Sequence, residues 1–264
     1  MATGETVRIA AVADIHCTKT SQGALQPLFT QAAASADILL LCGDLTDYGL
    51  PEEAHVLVHE LAAARRMPTI GVLGNHDEES GRHEEVRDIL CESGVTMLDG
   101  QSCEVMGIGF AGVKGFAGGF GRGALGLWGE EAIKAFVREA INEALKLETA
   151  LARLRTERRV AVLHYAPIQT TVEGEPPSIF PWLGSSRLEE PLTRYPVDAV
   201  FHGHAHHGRP EGRIRDTTPV YNVSLPVLRA TFPDRPPFRV LELRVSPHAH
   251  DQDINPQEVR PAIA

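Results

Sequence analysis

Short apolar runs constrain the fold of this chain most strongly. They read RIAAVA, DILLLC, PTIGVLG, RVAVL and DAVF, and they are rich in aliphatic and β-branched residues. Runs of this kind are typical of strands buried on both faces of a parallel sheet. In the first third of the chain, strands at 7–13, 37–42 and 68–73 alternate with helices at 22–35 and about 51–65. That alternation predicts parallel βαβ units with right-handed crossovers.

The remaining pattern predicts a single domain. The clearest helix spans 130–157, where apolar residues recur at helical spacing without glycine or proline. The other predicted elements are helices at 82–92 and 187–194 and strands at 95–99, 101–106, 107–113, 159–163, 197–202, 219–225 and 238–245. We therefore expect an α/β domain over 1–245, followed by a polar, proline-containing tail over 246–264.

Each of the five apolar runs is followed by side chains that bind metals well. These blocks are Asp14-Ile15-His16, Gly43-Asp44, Gly74-Asn75-His76-Asp77, His164 and Gly203-His204-Ala205-His206. The carboxyl ends of strands form the crevice where α/β proteins bind ligands. Five such blocks in order therefore converge on one site, which has the character of a two-metal hydrolytic centre.

The ligand types indicate which ions such a site would hold. Asp14 and His16 are two residues apart, so both can grip one ion at the exit of a strand. Carboxylate and imidazole together suit Mn, Fe, Co or Zn better than calcium, and the Asp44 carboxylate can bridge two ions about 3.5–4 Å apart. One block alone would carry little weight. The pair His248 and His250 has the same spacing, but it lies in the polar tail and is interpreted as non-ligating.

The motif series DxH, GDxxD, GNHD, H and GHxH resembles that of the calcineurin-like metallophosphoesterase superfamily, over about residues 9 to 207. The resemblance implies a four-layer αββα sandwich of two mixed β-sheets flanked by helices. It also implies two ligand sets that share Asp44. The first metal is expected on Asp14, His16, Asp44 and His206, and the second on Asp44, Asn75, His164 and His204.

Two positions depart from better-known members of this superfamily. Asp47 stands where purple acid phosphatases carry a tyrosine ligand, and Tyr48 comes one residue late, which disfavours a tyrosinate–iron centre. Several phosphodiesterases read His-His after the fourth strand, whereas this chain has His164-Tyr165. The ligand is kept but its neighbour changes, so specificity for cyclic nucleotides does not transfer directly.

The expected mechanism is attack on phosphorus by a hydroxide that bridges the two metals. His76 is the expected catalytic residue, because an imidazole can stabilise developing charge or protonate a leaving group near neutral pH. Asp77 is the second catalytic candidate, as the residue that orients the His76 ring. Two further polar residues, Asn222 and His207, are interpreted as having no role in the site.

The composition favours a small phosphate ester as substrate. The formal net charge is −10, from 25 Lys+Arg against 35 Asp+Glu, and nucleic-acid binding draws on clustered basic surface. We therefore expect a small phosphodiester, of the cyclic nucleotide or glycerophosphodiester type, and no long nucleic acid. A phosphomonoesterase acting on metabolites and a non-catalytic metal-binding scaffold are the alternatives, although a scaffold is not expected to keep every ligand.

Several features stay open at this level. No basic segment followed by an apolar core marks the N-terminus, and no apolar run reaches the roughly 20 residues of a membrane span, so a cytoplasmic location without membrane partners is expected. The helix at 130–157 could support a homodimer or only pack within the chain. The glycine-rich segment 115–129, with Arg122 as its charged side chain, is interpreted as a flexible loop in preference to a substrate lid.

Overall fold

Two mixed β-sheets form the centre of the molecule. The structure, a computed structural model, describes residues 5–246, so the predicted tail lies outside the described residues apart from Ser246. The strands are β1 (Glu5–Val12), β2 (Ile38–Cys42), β3 (Thr69–Val72), β4 (Val95–Met97), β5 (Gln101–Val105), β6 (Ile108–Gly112), β7 (Arg158–Val162), β8 (Ala199–His202), β9 (Glu211–Ile214), β10 (Thr218–Asn222) and β11 (Arg239–Val245).

Parallel pairing dominates the middle of both sheets, and for β1, β2 and β3 of the first sheet the alternating pattern predicts it. The first sheet has the order β11-β1-β2-β3-β4, and the second has the order β5-β6-β7-β8-β10-β9. In the first, β1 to β4 pair in parallel and β11 is antiparallel to β1. In the second, β6, β7, β8 and β10 are parallel, and the edge strands β5 and β9 are antiparallel. These antiparallel edge strands turn each parallel sheet into a mixed one.

Helices cover the outer face of each sheet. They are α1 (Gln26–Ser35), α2 (Pro51–Leu61), α3 (His83–Glu92), α4 (Glu131–Arg153), α5 (Phe180–Leu183), α6 (Glu189–Arg194) and α7 (Leu225–Thr231). Alternate residues of β1 point to different layers. Ile9 joins a core between the sheets with Phe110 and Phe201, whereas Val12 joins a core with Phe29 of α1. A third core packs α4 and α6 on the second sheet. The four-layer sandwich is therefore confirmed.

Two predicted helices are shorter in the structure because glutamates bind the neighbouring backbone. The buried carboxylate of Glu60 accepts hydrogen bonds from the N–H groups of Gly23, Leu25 and Gln26, so α1 begins at Gln26 and not at residue 22. Glu104 accepts from the N–H groups of Arg155 and Thr156, and α4 ends before them. Both contacts join residues more than 30 positions apart, which local periodicity does not register.

The C-terminal region differs most from the sequence-based prediction. The predicted strand at 219–225 ends at Asn222, and Ser224 caps α7 by accepting a hydrogen bond from the N–H of Val227. Pro226 occupies the first turn, where proline is favoured. The serine and proline are therefore a helix-start signal that the apolar run VYNVSL concealed. Strand β9 was also not predicted, because its four residues include Glu211 and Arg213 and lack an apolar run.

Within residues 5–246, no helix is both long enough and apolar enough to cross a membrane.

Candidate metal centre

The five blocks meet at one edge of the sandwich, where the parallel strands of both sheets end. A bridge pairs Ala13, after β1, with Ser224, after β10. The ring of His164, after β7, reaches across to the first sheet, where its Nδ1 lies 3.0 Å from the carbonyl oxygen of Cys42. The convergence of the blocks is therefore a consequence of two sheets that present their carboxyl ends to the same crevice.

A first group of possible ligands contains Asp14, His16, Asp44 and His206. One ligand atom from each lies within 4.8 Å of the others. Both carboxylates are buried, and the Nε2 atom of His206 lies 2.9 Å from an oxygen of Asp14. That hydrogen bond raises the pKa of His206, against a smaller lowering by burial. This group is the same set that the sequence resemblance assigns to the first metal.

The ring of His16 shows how well this group fits a cation. Its Nδ1 lies 3.1 Å from an Asp47 carboxylate oxygen, which accepts a hydrogen bond from it. Its Nε2 is buried, has no hydrogen-bond partner, and lies 3.8 Å from Asp44. A buried polar atom without a partner is costly. A metal ion between His16 and Asp44 would satisfy it, so the donor set fits the ion that the family resemblance implies.

A second group of possible ligands shares Asp44 with the first. It contains Asp44, His164 and His204, and the Oδ1 atom of Asn75 lies 3.0 Å from the Nε2 atom of His164. Backbone carbonyls fix the two rings. His164 donates from Nδ1 to Cys42, and His204 donates from Nε2 to the carbonyl of Trp182 at 3.1 Å. These bonds leave Nε2 of His164 and Nδ1 of His204 available for a metal.

The charges of the metal-free site are strongly coupled. Burial lowers the pKa of His164, but the adjacent Asp44 carboxylate outweighs it and raises this pKa to about 9. Burial raises the pKa of Asp44, and the His164 charge and hydrogen bonds from His164 and His76 outweigh it, so the net shift is downward. Burial and the His164 charge lower the pKa of His204 to about 4. At neutral pH the metal-free site therefore holds a protonated His164, whose positive charge stands in for that of a metal ion.

Metal affinity should accordingly rise with pH. Only the neutral His164 ring can bind a metal, so below pH 9 an ion that enters the second ligand group must displace the proton on this ring. We expect manganese affinity at this site to rise about tenfold per pH unit between pH 6 and 8, and to level off above the His164 pKa. Calorimetry in two buffers of different ionisation enthalpy would count the released protons. A manganese affinity that stays constant with pH, without proton release, would contradict the role of His164.

The backbone around the ligands is held in an unusual conformation. Asp14, His16, Asp44 and His204 all have positive φ angles, between 47° and 69°. Residues other than glycine adopt this region rarely, and such conformations concentrate at functional sites, where surrounding structure maintains them. The buried Asp14 carboxylate supplies part of that support, because both of its oxygens accept a hydrogen bond from the N–H of His204 at 3.0 Å.

Gly74 is needed because the chain passes very close to Asp44. A Cβ atom at this position would lie 2.1 Å from the Asp44 carboxylate and 2.3 Å from its backbone nitrogen. We expect Gly74→Ala to displace Asp44 and to weaken manganese binding at least tenfold, the lower end of the effect of removing a group that orients a ligand. Gly123→Ala is the matched control, since its Cβ would meet nothing within 4 Å. Equal affinity in both variants, measured by calorimetry, would overturn this expectation.

The two predicted catalytic residues have different surroundings. The ring of His76 is partly exposed, lies edge-on to His16 at 4.6 Å, and places Nδ1 2.7 Å from the carbonyl oxygen of Asp47. The carboxylate of Asp77 is fully buried and accepts hydrogen bonds from Leu45, Thr46 and Gly74. The carbonyl of Asp47 therefore orients His76, and Asp77 instead holds the loop that carries Asp44.

Two residues have clearer roles than their sequence context indicated. The sequence predicts no role for Asn222, but its amide donates a hydrogen bond to the carbonyl of Ala205 at 2.7 Å and its Oδ1 accepts one from the N–H of Ser224. Asn222 therefore fixes the loop between His204 and His206. Asp47, which replaces the tyrosine ligand of purple acid phosphatases, orients the ring of His16. His207 is exposed, which agrees with the prediction that it has no role in the site.

Comparisons with known proteins agree with this geometry. The model of the calcineurin-like phosphoesterase family matches residues 7–208. Curated proteins provide no match. A phosphopantetheinyl hydrolase of Mycobacterium tuberculosis is similar in structure, with a TM-score of 0.64 and 17% identity over 91% of this chain and 97% of that chain. The protein TT1561 of Thermus thermophilus has a TM-score of 0.53 and 15% identity over 92% and 100%. The family match, which covers all five blocks, establishes that the chain belongs to the calcineurin-like phosphoesterase family.

Proposed function

We propose that this protein is a dinuclear metal-dependent phosphoesterase that hydrolyses small phosphodiesters. The observation that carries the proposal is the pair of ligand groups that share the buried carboxylate of Asp44. A shared carboxylate is the usual bridge between two ions. The remaining ligands divide as the family resemblance implies: Asp14, His16 and His206 on one side, and Asn75, His164 and His204 on the other.

The donor set supports Mn, Fe, Zn or Co as the ions, because imidazole and carboxylate ligands suit these metals. When bound, two such ions polarise the phosphoryl oxygens and make hydroxide available as a nucleophile near neutral pH. The Asp47 carbonyl can only accept a hydrogen bond, so Nδ1 of His76 must carry a proton. In its imidazolium form the ring also carries a proton on Nε2, and it is this proton that His76 would donate to the leaving oxygen of the substrate.

The charge of the site favours a diester over a monoester. A diester carries one negative charge, whereas a monoester approaches two at neutral pH. Sites for the more highly charged phosphates commonly add lysine or arginine clamps. Among residues 5–246, the ion pairs of the ligand carboxylates Asp14 and Asp44 are formed with histidines, and none is formed with lysine or arginine. The side chain of Lys114 is instead paired with Glu78 at 2.8 Å.

A parallel assay tests the proposal. The manganese-loaded protein is given bis(p-nitrophenyl) phosphate and p-nitrophenyl phosphate at equal concentration, with Asp44→Asn as the control for contaminating activity. We expect a higher kcat/KM on the diester and loss of both activities in the variant. Preference for the monoester would overturn the diester assignment. Absence of both activities with metals bound would favour a non-catalytic scaffold.

Natural substrates can then be screened by class. Cyclic nucleotides and glycerophosphodiesters are the first candidates, since both are small diesters. A phosphopantetheinyl diester is a further candidate, because the similar structure from Mycobacterium tuberculosis is described as a phosphopantetheinyl hydrolase. Its 17% identity supports a shared fold only, so hydrolysis of each compound has to be measured on this chain.

A further inference from the structure

A closed series of aromatic contacts connects the second ligand group to Trp182. The ring of His204 lies 4.4 Å from that of Tyr165. The series continues from Tyr165 to Phe116 at 6.0 Å, from Phe116 to Phe136 at 5.0 Å, and from Phe136 to the Trp182 indole at 5.6 Å. The series returns to its starting residue through the backbone, because the Trp182 carbonyl accepts a hydrogen bond from Nε2 of His204. Trp182 is therefore part of the wall beside the proposed second metal.

The indole of Trp182 is exposed although its backbone is firmly held. The residue is 59% exposed, whereas Tyr165 in the same series is 7% exposed. The N–H of Gly118 donates a hydrogen bond to the carbonyl of Pro181, and the N–H of Gly119 donates one to the carbonyl of Gly184. The carbonyl of Leu183 accepts a hydrogen bond from the N–H of Ala166. The segment 115–129, interpreted from the sequence as flexible, is thus tied to α5. An indole on a fixed backbone is preorganised for binding.

The position and chemistry of this indole indicate its ligand. The backbone of Trp182 contacts His204 of the second ligand group, so a phosphate held at the metals would bring the rest of the ester close to this exposed residue. Ile179, the residue directly before α5, is also exposed and adds a second apolar side chain to this segment. A flat, aromatic group stacks well on the face of an indole, and stacking tolerates many bases because each has a π-face.

We propose that Trp182 is a specificity-determining residue that stacks on a nucleobase-like aromatic group of the phosphoester. This inference rests on the proposed function, since it takes the phosphate to lie at the ligand groups around Asp44. The net charge of −10 disfavours a long polyanion on the same surface. The ligand is therefore a single planar group of a small ester and not a base within a nucleic-acid strand.

Tryptophan fluorescence tests the stacking without turnover. The chain contains two tryptophans, so Trp128→Phe leaves Trp182 as the single indole. Manganese-loaded Trp128→Phe is mixed rapidly with thymidine 5′-(methyl phosphate) or with ribose 5-(methyl phosphate), a diester of the same charge that lacks the base. We expect saturable quenching by the nucleotide only. Trp182→Phe, which retains Trp128, should show no base-dependent change. Equal signals from the two ligands, or no signal from either, would overturn the proposal.

Turnover supplies a second test with a constant leaving group. The substrates are thymidine 5′-(p-nitrophenyl phosphate) and methyl p-nitrophenyl phosphate, which differ in the group that would stack. We expect Trp182→Ala to lower kcat/KM on the thymidine ester about tenfold, through a higher KM. Its kcat/KM on the methyl ester should be nearly unchanged. Trp182→Phe, which keeps an aromatic ring, should restore kcat/KM on the thymidine ester. Trp128→Ala is the control in the neighbouring loop and should change neither. An equal loss on both esters would mean that Trp182 acts only on the structure of the site.

The two tests separate this inference from the proposed function. Base-dependent quenching with no hydrolysis of either ester would support the stacking role and refute the phosphoesterase assignment. Hydrolysis of both esters with no base-dependent quenching, and with no selective loss in Trp182→Ala, would refute the stacking role and leave the phosphoesterase assignment standing.

Discussion

Asp44→Asn should abolish phosphodiester hydrolysis and weaken the binding of both metals. The carboxylate belongs to both ligand groups, so its replacement by a neutral amide removes a charge from each. Loss of a group that merely orients a ligand costs about 10- to 100-fold, and loss of the shared ligand should exceed 100-fold. Asparagine is nearly isosteric and tolerates the positive φ of 49° at this position, so the fold should survive.

A change in the titration of His164 should accompany this loss. The Asp44 carboxylate holds the His164 pKa at about 9 against the lowering effect of burial. In metal-free Asp44→Asn, that pKa should therefore fall below its ordinary value, which NMR titration of the imidazole would record. Asp88→Asn, on the exposed surface of α3, is the matched control and should change neither property. A variant at Asp44 that binds two ions and remains active would contradict the bridging assignment.

His76→Ala should lower turnover while both metals remain bound. The ring is absent from the two groups that share Asp44. It lies 4.6 Å from His16 at the edge of the first group, and it forms a further possible ligand group with His16 and Asp47. Loss of a positioned proton donor costs about 10²- to 10⁴-fold in rate, and we expect a decrease of that size in kcat. The contact of its backbone N–H with Asp44 at 2.9 Å does not involve the side chain, so the metal site should remain intact.

Comparing substrates with different leaving groups tests whether His76 donates a proton. If His76 protonates the leaving oxygen, the variant should lose more activity on an alkyl ester than on a p-nitrophenyl ester, whose anion leaves without a proton. His207→Ala is the matched control, since it changes an exposed histidine directly after the last ligand. Equal losses on the two esters would indicate charge stabilisation instead of proton donation. Loss of bound metal in His76→Ala would place His76 among the ligands.

Much of the fold could be predicted because strands and ligands are local features of the sequence. The apolar runs place β1, β2, β3, β7 and β8 to within about two residues of their observed limits. The order of the five blocks then implies their convergence, since the ends of parallel strands share one edge. The seven predicted ligands are brought together as expected, and their binding of metal stays a prediction to be measured.

Features that depend on distant contacts could not be predicted in the same way. Glu60 sets the start of α1 and Glu104 stops α4 through bonds to backbone far along the chain. The rings of His164 and His204 are oriented by carbonyls, which every residue carries and which therefore leave no signature in a sequence. The hydrogen-bond partner of the Asp77 carboxylate is a further example. Its position next to His76 in the sequence predicts that it orients that ring, whereas in the structure it accepts hydrogen bonds from the loop at Leu45.

A manganese titration of the metal-free protein tests the central claim most directly. Hydrolysis of bis(p-nitrophenyl) phosphate is followed while the ion is added at a protein concentration well above the dissociation constant. If Asp44 bridges a catalytic pair, activity should be absent without metal and should reach its maximum at two ions per chain. Full activity without metal, a maximum at one ion, or two bound ions without hydrolysis would each contradict the assignment of a dinuclear phosphoesterase.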